Sequence, residues 1–316
     1  MEMSQVFMIV GFLLASYSIV ANDAIQTLGT FLASNAKRPW WVLWIFACSI
    51  LVAVLVIGWY RYGGDVSYGR LSKIPEPEEF TWIYVVPPIV LLFLTRFGIP
   101  VSTTFLILTI FAQKALPNML VKSFAGYAVA FTVAILSYRF LTAKLEQRFA
   151  ATKDEPMPRH WVIMQWCSTG FLWSQWLIQD LANIFVFLPR ELSVQKLVMA
   201  IFVMLVLHAV IFYRHGGVIQ KIVTSKSNTS DIRSATIIDF IYGMVLLVFK
   251  NASQMPMSTT WVFLGLLAGR EIGLRIAAGG DLKETWQLVG RDVLKALTGL
   301  VVSVLLAFGL PWLASL

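Results

Sequence analysis

The sequence predicts an all-α polytopic membrane protein made of two inverted-topology repeats, with broken helices and re-entrant hairpins. Three observations predict it: an apolar composition, Lys and Arg gathered in alternate loops, and two polar motifs that recur in the same order at nearly the same distance.

Hydrophobic residues make up 58% of the 316 positions and charged residues only 13%. A helix that crosses a bilayer needs roughly 20 mostly apolar residues. Stretches 6–33, 40–60, 119–142, 161–188, 195–213 and 290–312 meet that need, while 81–113 and 235–269 are apolar but interrupted in the middle. No polar stretch is long enough to fold as a soluble domain, so the chain is expected to be one membrane unit. Its start, Met1-Glu2-Met3-Ser4-Gln5, lacks the basic region of a secretory signal and a small-residue cleavage site, so 6–33 is expected to be a retained first membrane helix. Cys48 and Cys167 stand alone in apolar segments and are expected to be buried spectators, neither disulfide nor metal ligands.

The net charge of +8 raises the question of nucleic acid, and its distribution answers it. With the N-terminus outside, loops 34–40, 143–160, 214–234 and 270–291 face the cytoplasm and hold 14 Lys and Arg. Loops 61–80, 114–118 and 189–194 face out and hold 5. This is the bias of an inserted protein. Nucleic acid is not expected as a partner; the bilayer is. Trp40, Trp41, Trp44, Trp59, Tyr60, Tyr62, Trp161 and Trp312 near segment ends suit an interfacial belt.

Taken along the chain, segment 6–33 contains Asn22-Asp23-Ala24-Ile25-Gln26, and the broken region 81–113 contains Pro100-Val101-Ser102-Thr103-Thr104. Segment 161–188 contains Gln179-Asp180-Leu181-Ala182-Asn183, and 235–269 contains Pro256-Met257-Ser258-Thr259-Thr260. Asp23 precedes Pro100 by 77 residues, and Asp180 precedes Pro256 by 76. Matched order at matched spacing marks an internal repeat: residues 1–150, a polar cytoplasmic linker 151–160, and residues 161–316. Each repeat crosses three times if its hairpin re-enters and five times if both arms cross. Either number is odd, so the second repeat enters from the opposite side, as in many secondary transporters.

An aspartate within a membrane helix costs roughly 2.5–3.5 kcal/mol to insert. Asp23 and Asp180 come with carboxamides one turn away, at Asn22 and Gln26 and at Gln179 and Asn183, which offer carbonyl oxygens. A coupling Na⁺ suits that set; a proton is the competing use, and capping of a broken helix is the structural alternative. The P-x-S-T-T elements suit an anion. Proline disfavours helix before itself and tolerates the first turn after it. Ser102, Thr103, Thr104, Ser258, Thr259 and Thr260 then place hydroxyls beside unpaired N–H groups at a helix start. Plain N-capping is the alternative for each copy. Arg96 and Lys250, four and six residues before Pro100 and Pro256, can offset anion charge, snorkel, or pair with an Asp. Asp239 has no acidic counterpart in the first repeat, and His208, His160 and His215 suit packing and loop positions. No nucleophile with its base and no Walker loop occurs, so no enzymatic activity is expected.

Ala21-Asn22-Asp23 followed by Gly29-Thr30 resembles the G-A-N-D-x-x-N-x-x-G-T signature of the inorganic phosphate transporter (PiT) family, which has sulfate-carrying relatives. Pro100–Thr104 and Pro256–Thr260 resemble its P-V-S-T-T-H element, so the resemblance spans both repeats. Val20 and Gln26 depart from the first copy of the signature; Gln179 and Val186-Phe187 depart from the second. Phe105 and Trp261 stand where the family has histidine. The chain is similar to a divergent member. The resemblance implies an ion-coupled symporter of a small inorganic oxyanion, phosphate first and sulfate second. Asp23 and Asp180, with both S-T-T groups, would line a shared anion and cation site. Na⁺ or H⁺ is the expected coupling ion, with no other cofactor, and a homodimer in a bacterial inner membrane is expected. Phe105, Phe187 and Trp261, which could block a pathway, motivate one alternative, a non-transporting anion sensor or scaffold; a channel-like pore is a further one.

Overall fold

The computed structural model describes residues 2–152, 154–217, 220–224, 230–252 and 256–314. Among them every regular element is a helix. α1 (Met3–Ile19) and α2 (Ile25–Ser34) are joined by one widened π turn, Val20–Ala24. α3 (Trp40–Arg61) follows Pro39, whose fixed φ starts the helix. α4 (Val86–Arg96) opens with Pro87 and Pro88 in its first turn, where their missing N–H groups cost nothing. The chain then breaks and resumes as a π turn, Thr104–Leu108, running into the short α5 (Thr109–Phe111). α6 (Leu116–Leu136) and α7 (Ala143–Ala151) complete the first half.

The second half contains α8 (Arg159–Phe185), α9 (Val194–Tyr213), α10 (Gln220–Thr224), α11 (Ile232–Ala252), α12 (Thr259–Ala277) and α13 (Lys283–Ala314). Among the described residues six helical segments are long and apolar enough to cross a membrane: Met3–Ser34, Trp40–Arg61, Gln113–Leu141, Val194–Tyr213, Ile232–Asn251 and Lys283–Ala314. The chain is an integral membrane protein.

α8 is 27 residues long, about 40 Å at 1.5 Å per residue. It is too polar to count among the six because Gln165, Ser168, Thr169, Gln175, Gln179, Asp180 and Asn183 are all buried along it. The apolar stretch expected at 161–188 is thus a helix whose polarity faces protein. Its backbone continues as regular α-helix through Asp180, whereas Asp23 lies in the π turn, so only the first acidic motif widens its helix and neither breaks it.

The two hairpins differ in length. α4, with 11 residues, rises about 16 Å, well short of a hydrocarbon core of about 30 Å. Gly98, at φ 67°, stops it in the left-handed conformation that glycine adopts freely. Ile99 N–H donates to Leu94 O at 3.1 Å, and the chain turns back. In the second half α11 and α12 have 21 and 19 residues, close to spanning length. The tip of that hairpin, 253–255, lies outside the described residues, as do Lys153 of the linker and 218–219 and 225–229 of the 214–234 loop.

The halves pack by exchange. α12 lies on α6, while the 104–108 turn and α5 lie on α13; α3 meets α9, α4 meets α1 and α11 meets α8. The α6–α12 contact is close because Gly265, Gly269 and Gly273 follow one another at every fourth residue. A Cβ on Gly265 would sit 2.5 Å from Tyr127 O, and one on Gly269 would press on Phe131 O. Small residues in this register let membrane helices touch backbone to backbone.

Two expectations need correction. The loop expected at 270–291 is mostly helix: α12 continues to Ala277, and Arg270 is fully buried rather than facing the cytoplasm. Its buried partners explain why: Arg270 Nη2 lies 3.5 Å from Glu146 Oε2, and its guanidinium stacks 5.2 Å from the Tyr138 ring. Cys48 is buried, but Cys167 is exposed, because its side of α8 lines an open apolar groove with Met164, Phe171 and Phe240. Of the aromatic belt, Trp41, Tyr60, Tyr62 and Trp312 are exposed, and Trp44 and Trp59 anchor through indole N–H bonds to Leu205 O and Leu192 O.

Candidate functional site

The π turn presents Asn22 and Asp23 inward, both buried. Such a widened turn is common where a helix must aim side chains at a site. Asp23 accepts from Asn22 Nδ2 at 2.5 Å, from Gln26 Nε2 at 3.5 Å and from Thr103 Oγ1 at 2.5 Å. Asn22 Nδ2 also donates to Val101 O at 2.7 Å. The first acidic motif is therefore seated on the first S-T-T loop, 80 residues later. Its partners are side chains, so Asp23 does not cap a helix.

The second acidic motif reaches the same loop from α8. Asn183 Nδ2 donates to Asp180 Oδ1 at 2.9 Å, to Thr103 Oγ1 at 2.9 Å and to Thr104 Oγ1 at 3.4 Å. Gln179 turns away and donates to Leu246 O on α11 at 3.1 Å.

The S-T-T loops meet each other reciprocally. Thr104 Oγ1 donates to Met257 O at 3.0 Å, and Thr260 Oγ1 donates to Val101 O at 3.1 Å. The two serines are used alike as caps: Ser102 Oγ accepts from Phe105 N–H and Ser258 Oγ from Trp261 N–H, each at 3.3 Å. Capping thus accounts for both serines, but not for the threonines. Ser123 Oγ on α6 accepts from Ser258 N–H at 2.8 Å, and Tyr242 on α11 donates to Thr259 O at 3.0 Å.

Asn22, Asp23, Gln26, Asp180, Asn183 and both S-T-T groups therefore converge. Three buried oxygens at this junction have no hydrogen-bond partner: Asn22 Oδ1, Asp180 Oδ2 and Asn183 Oδ1. The two carboxylates lie within electrostatic range of each other. Like charges brought together away from water call for a cation or a proton.

Arg96 does not join them. It is exposed at the last turn of α4, where a cation suits the helix C-terminus and a long side chain can snorkel. Lys250 is half-buried near the end of α11. Phe105 and Trp261 are buried beside their loops, and Phe187 packs at 5.4 Å on Phe111. His208 is buried with Nδ1 2.7 Å from Met204 O, against the Trp173 ring, as a packing residue.

Two groups, Tyr242 and Arg70, escaped sequence reasoning, and a third, Asp239, stood out in the sequence without its partners. Tyr242 is one hydroxyl in an apolar helix and gives no pattern. Asp239, which lacks an acidic counterpart in the first half, accepts from Thr30 Oγ1 and Thr169 Oγ1, each at 2.5 Å, and so joins α2, α8 and α11. Arg70, in the polar loop after α3, is only 3% exposed, and Asp180 is the first opposite charge that it feels. Burial pushes its guanidinium below the usual arginine range, while Asp180, Tyr62 and Asp65 hold it up. Its signal was invisible because Asp180 lies 110 residues further along.

No known sequence family matches the chain, and no curated protein matches it by sequence. In three dimensions it is similar to the solved structure "The sodium-dependent phosphate transporter", with a TM-score of 0.64 and 17% identity over 100% of this chain and 99% of that one. The chain thus shares the fold of that transporter structure from end to end.

Proposed function

We propose that the chain is a secondary transporter that carries a small inorganic oxyanion by symport with a cation. Phosphate is the first candidate and sulfate the second; the cation is Na⁺ or H⁺. The observation that carries this reading is the set of buried, unpartnered oxygens on Asn22, Asp180 and Asn183 beside two S-T-T loops. Buried polar atoms are nearly always satisfied, and carboxylate and carboxamide oxygens are the donors that a hard cation takes. The solved structure of like fold is described as sodium-dependent and as a phosphate transporter, and that description supports trying those two ions first.

In this mechanism Asp23, Asp180, Asn22, Gln26 and Asn183 hold the cation, and its charge lets the oxyanion enter the same low-dielectric cavity. Thr103, Thr104, Thr259 and Thr260, with the N–H groups at the two helix starts, hold the anion. Residues 1–150 and 161–316 act as inverted repeats, with 151–160 as linker and the N-terminus outside. The reciprocal bonds Thr104–Met257 and Thr260–Val101 support a two-fold relation between the halves, because an exchanged pair of contacts is what a two-fold axis produces. Rocking of one half on the other breaks this pair and opens the site to one side at a time.

Uptake of radiolabelled phosphate and sulfate into proteoliposomes under imposed Na⁺ or proton gradients tests the proposal. Gradient-driven accumulation of either anion is expected. Binding without accumulation assigns the chain to a sensor on the same fold, and background uptake of both anions under every gradient ends the transport reading.

A further inference from the structure

We infer that Arg70, with Lys122 and Lys250, forms a docking site for a tetrahedral oxyanion on the approach to the second S-T-T loop. The inference rests on the transport reading above and names a specificity element that the two repeats do not share. A buried guanidinium loses its hydration and normally recovers the loss from a carboxylate in hydrogen-bond contact. Arg70 is 3% exposed, its Nη2 has no hydrogen-bond partner, and among the described residues it makes no ion pair. Asp180 and Asp65 act on it electrostatically without forming an ion pair.

Two more cations, on different elements, lie near enough to act on Arg70 electrostatically. Lys122 of α6 and Lys250 of α11 are half-buried and both lie within electrostatic range of Arg70, and Lys122 also feels Lys73. Lys122 adjoins Ser123, whose hydroxyl holds the Ser258 amide, so the cluster borders the second loop. Like charges in a partly dry space repel. A mobile anion would give the buried, unpartnered Arg70 guanidinium the partner that the protein does not supply. The guanidinium fork matches two oxygens of a phosphate or sulfate, and the ammonium groups supply point charges around it. A lipid phosphate would satisfy the same chemistry; the burial of Arg70, only 3% exposed, favours the free ion.

Phosphate binding is measured by equilibrium dialysis on the full chain in phosphatidylcholine nanodiscs, with and without added phosphatidylglycerol. Loss of hydrogen bonds to a charged ligand weakens binding by roughly tenfold or more. Arg70→Gln is expected to raise the phosphate Kd, and the KM for uptake, by at least about that factor, with Arg70→Lys in between. Lys122→Gln and Lys250→Gln, at half-buried positions, are expected to shift the Kd in the same direction and serve if Arg70→Gln does not fold. Wild-type protein that binds neither phosphate nor sulfate overturns both this inference and the transport reading. Wild-type binding that all three glutamine variants retain overturns the inference alone. A changed Na⁺ or proton requirement with unchanged phosphate Kd makes Arg70 a counter-charge for Asp180, and phosphate binding abolished by phosphatidylglycerol assigns the cluster to lipid; either result also overturns it.

Discussion

Thr103 donates its hydroxyl hydrogen to Asp23 at 2.5 Å while the same oxygen accepts from Asn183 at 2.9 Å. One side chain on the first S-T-T loop thereby joins the acidic motif of its own half to that of the other. Whatever changes the charge or position of either acidic motif is felt at this hydroxyl, and through Thr104 and Met257 at the second loop.

Thr103→Val keeps the volume and removes the bond. A hydrogen bond to a charged group contributes about 1.5–3 kcal/mol, so the cation concentration for half-maximal uptake should rise roughly 10-fold or more. Thr103→Ser restores the hydroxyl and should stay near wild type. Equal uptake curves for Val and Ser would remove Thr103 from the site.

Asp180→Asn retains an acceptor for Asn183 and deletes a charge. The folded protein should persist in detergent, while uptake driven by a cation gradient falls to background. Counterflow of labelled against unlabelled anion separates lost coupling from lost binding. Full gradient-driven uptake by this variant would exclude Asp180 as a coupling group.

Gly269→Leu forces a side chain into the Phe131 carbonyl on α6. Overpacking costs about 1–3 kcal/mol where side chains can yield, and a backbone carbonyl yields less. The thermal midpoint in detergent should drop by several degrees at least. Gly290→Leu on α13, where a Cβ meets nothing within 4 Å, should leave it unchanged.

Arg270→Met leaves Glu146 without its buried guanidinium, although Ser234 still donates to that carboxylate at 2.6 Å. Breaking one side of a buried pair typically costs about 3–5 kcal/mol. The double variant Arg270→Met with Glu146→Gln should recover much of that loss. Thermal unfolding of the four proteins in one cycle gives the coupling directly, and simple additivity would show that the two residues do not act as a pair.

Much of this molecule can be read along the chain. Composition and run length mark 6–33, 40–60 and 195–213 as membrane helices, and the structure has helices at Met3–Ser34, Trp40–Arg61 and Val194–Tyr213. The two polar motifs, read at matched spacing, name most of the residues that converge. Arg96 stayed open between two uses, since an arginine inside an apolar run reads alike whether it points at a site or at the interface.

The amino-acid order alone determined which segments enter the bilayer and which polar groups they carry there, since burial of apolar side chains is a property of contiguous stretches. Folding in three dimensions decided what those groups touch. Asp239 held by Thr30 and Thr169, Tyr242 on Thr259, and the glycines of α12 on α6 all join residues whose pairing depends on how helices cross. It also made the two hairpins unequal, with α4 stopped by Gly98 after 11 residues and α11 running 21. Hydrophobicity is additive along a chain, whereas a hydrogen bond between distant residues needs two backbones already in place.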